Sequence, residues 1–148
     1  MIWKPNVTVA AVIEQDGKFL LVEEHTSQGL LFNQPAGHLE ADESLLAAVV
    51  RETLEESAYQ FEPQHLLGIY RWHSPSSDTT YLRFAFSGYI LAHYPEQALD
   101  EGIIRSVWMT EAEIRASHAR HRSPLVLRCV EDFLSGKRYP LDILTHYD

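Results

Sequence analysis

Runs of β-branched and aromatic residues recur along this chain between short polar turns, and twice they give way to a helical period. Val7 to Ile13 is rich in β-branched residues and predicts a mostly buried strand. Asp16-Gly17 is a two-residue turn signal, so Lys18 to Glu24 predicts the returning strand of a hairpin. Glu24 to Asn33 reads as a loop with Gly29 at its bend, and Asn33-Gln34-Pro35-Ala36-Gly37 leads out of it. Ser44 can cap a helix over Leu45 to Glu56, a stretch without glycine or proline and rich in strong helix formers.

The second half repeats the alternation. Phe61 to His65 reads as a Pro-Gln-His loop, Leu66 to His73 and Tyr81 to Leu91 as two strands, and Ser74 to Thr80 as the polar turn of a second hairpin. A polar loop from His93 to Gly102 carries Glu96, Asp100 and Glu101 and precedes a strand over Ile103 to Met109. Thr110 with Glu113 has the form of a capping box opening a short helix. Ser123-Pro124 and Gly136 bracket a helix over Leu125 to Ser135, whose buried face is Leu125, Val126, Cys129, Val130, Phe133 and Leu134. About six strands, a helix between the strand groups and a long C-terminal helix predict an α/β fold with helices on both sides of a mixed sheet.

The central helix carries the chemistry. At about 100° per residue, Leu46, Val49, Val50, Thr53 and Leu54 fall on one flank, while Glu52, Glu55 and Glu56 cluster on the other. Three neighbouring carboxylates repel one another, and the C-terminal half of a helix disfavours negative charge. A solvated acidic face is the ordinary reading of such a pattern. A divalent cation would remove both penalties, and an all-oxygen donor set without Cys or His suits Mg2+ or Mn2+.

Gly37 to Tyr59 resembles the Nudix box, G-x5-E-x7-R-E-U-x-E-E-x-G-U with U aliphatic, the signature of the Nudix hydrolases. Gly37, Glu43, Arg51, Glu52, Glu55 and Glu56 match its first glycine and every charged position. Thr53, Ala58 and Tyr59 depart from it; if the helix exit needs a left-handed backbone, Ala58 costs about 1 kcal/mol relative to glycine. The resemblance implies a Nudix-type α/β/α sandwich over 1–148 as one domain, hydrolysing phosphoanhydrides. It implies metal at Glu52, Glu55, Glu56 and the Gly37 carbonyl, with Arg51 tied to Glu43. The base is then Glu52 or an acid on a later loop, with Glu101 the first choice and Asp100 and Glu96 behind it. KPNVTVAAVI, GKFLLVEE, NQPAGHLEADE, PQH, LRFAF, RSPLV and SGKRYPL are similar to the NudJ-type phosphatases, a branch of that family. That branch implies release of phosphate from nucleoside tri- and diphosphates and from thiamine-pathway pyrophosphates such as hydroxymethylpyrimidine pyrophosphate. A pyrophosphohydrolase cleaving an internal anhydride and a non-catalytic nucleotide sensor are the alternatives.

Composition narrows the partners. With 148 residues and 45% hydrophobic content the chain has the size of one domain. A net charge of −9 argues against general nucleic-acid or anionic-membrane binding; a small phosphorylated substrate is the partner that the resemblance implies. Cys129 is the only cysteine, which excludes an intrachain disulfide. No charged leader or spanning apolar run is present, so a cytoplasmic location is the expectation; oligomeric state stays open. Arg71 and Arg83, beside Trp72, His73 and Tyr81, are candidates for pairing with substrate phosphate, as is Arg122 in the run HARHR before the last helix.

Overall fold

The computed structural model describes residues 1–148. Nine strands, β1 (Asn6–Val12), β2 (Glu14–Gln15), β3 (Lys18–Thr26), β4 (Gly29–Asn33), β5 (Ala36–His38), β6 (Tyr59–Ser74), β7 (Thr79–His93), β8 (Ile103–Thr110) and β9 (Tyr139–Pro140), form two sheets. The first has the order β5-β1-β7-β6-β9, with β1 parallel to β7 and the other pairs antiparallel. In the second, β3 pairs with β2, β4 and β8, all antiparallel. The helices are α1 (Leu45–Ser57), α2 (Glu111–Ala116) and α3 (Leu125–Leu134).

Alternation along the strands builds the layers. Val9, Ala11 and Ile13 of the β1 region, Leu20 of β3, Leu66 of β6 and Phe86 of β7 pack with Ala48 and Val49 of α1. Their sequence neighbours Val12, Leu21, Leu67 and Ala85 pack instead with Val126, Cys129 and Val130 of α3. Because successive side chains leave opposite faces of a strand, one set of strands serves two helical layers, and the result is an α/β/α sandwich.

Three local expectations are corrected. Glu24 to Asn33 is a hairpin, with β3 continuing to Thr26 and β4 starting at Gly29, whose φ of 99° makes the turn. β1 pairs with β5 and β7, so the predicted first hairpin is reduced to β2 with β3. Phe61 to His65 is strand, kept in register with β7 by irregularities at Gln60/Phe61, Pro63/His65 and Leu66/Gly68. Bulges let a strand absorb Pro63 without breaking, which composition alone does not reveal.

Candidate active site

Ser44 caps α1 by accepting the Ala47 N–H at 3.0 Å, and the helix runs to Ser57 with Ala48, Val49 and Thr53 buried. Its acidic flank is covered too: Glu52 is only 9% exposed. The cover is β5. A Cβ added to Gly37 would stand 1.8 Å from Glu52 Oε2, so the glycine is required for backbone and carboxylate to come together. Beside it, Glu56 Oε1 accepts the Ala36 N–H at 3.0 Å.

Burial sets the charge state of this flank. It pushes the Glu56 carboxyl up to about 8, against the Ala36 hydrogen bond and with help from the charges of Glu24, Glu52 and Asp100. Glu52 also titrates above the ordinary carboxylate range, burial outweighing the Arg51 Nη1 contact at 2.6 Å. Arg51 is the one cation among these acids. It holds Glu43 through Nε at 3.0 Å and Nη2 at 2.7 Å, and Glu55 through Nη1 at 3.0 Å. Glu43 in turn accepts the Glu40 N–H at 2.9 Å and titrates low, chiefly because of Arg51. The expected Glu43–Arg51 tie between loop and helix is present.

A fourth element completes the group. The loop after β7 caps the end of α1: Gln97 Nε2 donates to the Leu54 carbonyl at 2.7 Å and the Asp100 N–H to the Glu55 carbonyl at 3.0 Å. Carboxylate oxygens of Glu52, Glu55 and Asp100 then lie within 4.8 Å of one another. Asp100, and not Glu101, the first choice in sequence, is the loop acid that the structure brings to Glu52 and Glu55. Glu101, exposed at the next turn position, lies outside the cluster. The main-chain bond to Glu55 selects the residue, and sequence offers no sign of it beyond an acidic loop.

Comparison with known proteins identifies the family. The NUDIX domain family matches residues 3–129. The chain belongs to the Nudix family. A Nudix hydrolase from Nitrosomonas europaea is 56% identical, with a TM-score of 0.95 over 97% of this chain and 98% of that one. Proteins named phosphatase NudJ from Shigella boydii and Escherichia coli K12 are each 42% identical over 147 residues, 99% of this chain and 94% of theirs. This chain is thus a Nudix hydrolase.

The donor set of this Nudix site fits a hard divalent cation. All its members are oxygens, and a half-buried carboxylate, Glu56, that titrates at about 8 without a cation partner of its own is the environment in which a bound cation is favoured. Glu52, Glu55, Glu56 and Asp100 can supply ligands, as can the Gly37 carbonyl. A cavity of about 390 Å3 between β6, β9 and α3 shares none of these residues.

The three candidate arginines part company. Arg83 is 6% exposed and is used internally: Nη1 donates to Gln34 Oε1 and Nη2 to Asn33 Oδ1, both at 3.0 Å. Its expected contact with substrate is corrected to a tie between the sheets. An alternation that sends Arg83 to the same face as Ala85 was the signal. Arg71 is exposed on β6 and makes no hydrogen bond or ion pair. Arg122, 46% exposed, donates through Nη1 to Glu24 Oε1 at 2.5 Å. Glu24 was missed in sequence because it closes an apolar run that reads only as a buried strand.

Proposed function

We propose that this protein is a Mg2+-dependent phosphatase, with Mn2+ as a possible substitute, acting in the cytoplasm. It releases inorganic phosphate from nucleoside tri- and diphosphates and from thiamine-pathway pyrophosphates such as hydroxymethylpyrimidine pyrophosphate. The observation that carries this reading is the convergence of Glu52, Glu55 and Asp100 within 4.8 Å, next to a half-buried Glu56. Likeness along 99% of the chain to proteins named phosphatases supports phosphate release over cleavage of an internal anhydride.

In this reading Glu52, Glu55, Glu56 and the Gly37 carbonyl hold the ion. A bound divalent cation neutralises phosphate oxygens and makes a coordinated water more acidic. Glu52 or Asp100 accepts the proton of the attacking water. Arg51, fixed by Glu43, holds Glu52 and Glu55 in place and offsets their repulsion. Arg122 meets the phosphate of the substrate, and exposed Arg71 is a second candidate for it.

Product analysis tests this reading. Nucleoside tri- and diphosphates, a nucleotide sugar and hydroxymethylpyrimidine pyrophosphate are incubated with Mg2+, with Mn2+ and with chelator. Orthophosphate that disappears with chelator is expected. Two phosphorylated products from the nucleotide sugar, with no orthophosphate from the others, would make the enzyme a pyrophosphohydrolase.

A further inference from the structure

We infer that Glu24 is a positioning residue for substrate, holding the Arg122 guanidinium at the rim of the carboxylate site, where it meets a substrate phosphate. The inference rests on the phosphohydrolase reading above and adds a residue to it.

Glu24 is placed by two neighbours of the site. It pairs with Ile103 of β8, three positions after Asp100, across an irregularity that takes Glu23 to Arg105 and leaves Ile104 without a partner. The extra residue draws the Asp100 turn against β3, where the His25 N–H donates to the Gly102 carbonyl at 2.7 Å. Glu24 therefore stands beside the loop that carries Asp100. On alternation it shares the face of Leu20, which packs in the α1 layer.

Arg122 reaches that place from a different element. Its N–H donates to the Phe32 carbonyl at 2.8 Å, and His121 forms a parallel bridge with Phe32, so the chain before α3 is laid along the free edge of β4. From there the side chain crosses to Glu24. Only Nη1 is engaged; Nε and Nη2 make no hydrogen bond, leaving donors for an anion. A long, flexible cation next to several carboxylates would otherwise fold down onto them. Glu24, with a side chain 16% exposed, offers a fixed acceptor at the edge instead.

The adjacent residue shows the contrast. Glu23, on the opposite face of β3, accepts from Arg105 at 2.9 Å and from Arg120, so its charge is consumed by two arginines of the fold. Glu24 has one arginine, and that arginine keeps an open side. A pair of the first kind ties elements together, whereas the second presents a donor.

The test is a double-mutant cycle with Glu24→Gln and Arg122→Ala, read as KM and kcat for orthophosphate release. Each single change should raise KM about 5- to 10-fold, with kcat moving less, and the double variant should be no worse than Arg122→Ala alone. An unchanged KM in Glu24→Gln overturns the inference. So do KM effects that multiply, and so does a fall in kcat alone, which would put Glu24 to work on the carboxylates. If Glu24→Gln does not fold, Arg122→Lys keeps the charge without the fork; a wild-type KM in that variant also overturns it. Absence of turnover by the wild-type protein defeats the phosphatase reading instead. Inorganic phosphate binding then tests Glu24 on its own, with equal affinity in wild type and Glu24→Gln as the overturning result.

Discussion

The Asp100 N–H donates to the carbonyl of Glu55 at 3.0 Å, and this bond, beside that of Gln97 to the Leu54 carbonyl, joins the downstream loop to the end of α1. The last carbonyls of a helix have no partner within it, so a loop that supplies donors is held where the helix ends. Here the helix ends in carboxylates. Closing the helix and bringing an additional acid to Glu52 and Glu55 are therefore the same structural event.

Asp100 and Glu101 should separate sharply. Asp100→Asn keeps the main-chain bond to Glu55 and removes only the charge, so kcat/KM should fall about 10- to 1000-fold with little change in Tm. Glu101→Gln should stay within about twofold of wild type. Steady-state phosphate release decides; the reverse ranking would restore Glu101 to the site.

Ala58 ends α1 with φ 63° and ψ 19°, its N–H donating to the Leu54 carbonyl at 2.9 Å. That is the left-handed cap which glycine adopts without a Cβ penalty. Ala58→Gly relieves the strain but adds disorder to the unfolded chain. A net gain of up to about 1 kcal/mol, or roughly 2–4 °C in Tm, is expected, with activity unchanged. Thermal denaturation checks it, and a lower Tm would mean that the Ala58 methyl group packs well enough to repay its backbone.

Helix α1, its Ser44 cap and the Glu43–Arg51 pair were legible in sequence because each is local, fixed by spacing within one turn or one loop. The left-handed cap at Ala58 was legible as a condition, since a missing glycine is visible. What sequence could not settle is long range. The partner of β1 is a strand some seventy residues later, and the hydrogen bond that selects Asp100 joins two elements with no common motif. Arg83 shows the same limit from the other side: its residue type fitted phosphate binding, and only the layer it faces shows that its donors are used inside.

Arg83 should accordingly act on stability before substrate. Arg83→Met leaves the buried Gln34 Oε1 and the partly buried Asn33 Oδ1 without their donors. Breaking a buried charged network of this kind costs about 3–5 kcal/mol, so Tm should fall by about 10 °C. Residual activity measured below the melting range should keep a KM near wild type. A variant with unchanged Tm and a raised KM would return Arg83 to the substrate site.

Glu56 sets the proposed function against stability. Its folded-state pKa, pushed up to about 8 by burial, lies above the ordinary value of 4.5. Between those two values the folded protein binds a proton that the unfolded chain has released. In the absence of metal, stability is therefore greatest below pH 4.5 as far as this group is concerned, declines as pH rises through the window, and is lowest above pH 8. Glu56→Gln keeps an oxygen for the Ala36 N–H and removes the half-buried charge. In chelator at pH 8 or above the variant should be more stable than wild type by on the order of 1 kcal/mol, about 2–4 °C, with the difference vanishing toward pH 4.5. Added Mg2+ should raise the wild-type Tm and leave the variant's almost unmoved, because a ligand stabilises only the state that binds it. Turnover should be lost in the same variant. A Glu56→Gln protein that melts earlier than wild type in chelator at pH 8 would show that the carboxylate stabilises the fold, and one that retains full activity would remove Glu56 from the metal site.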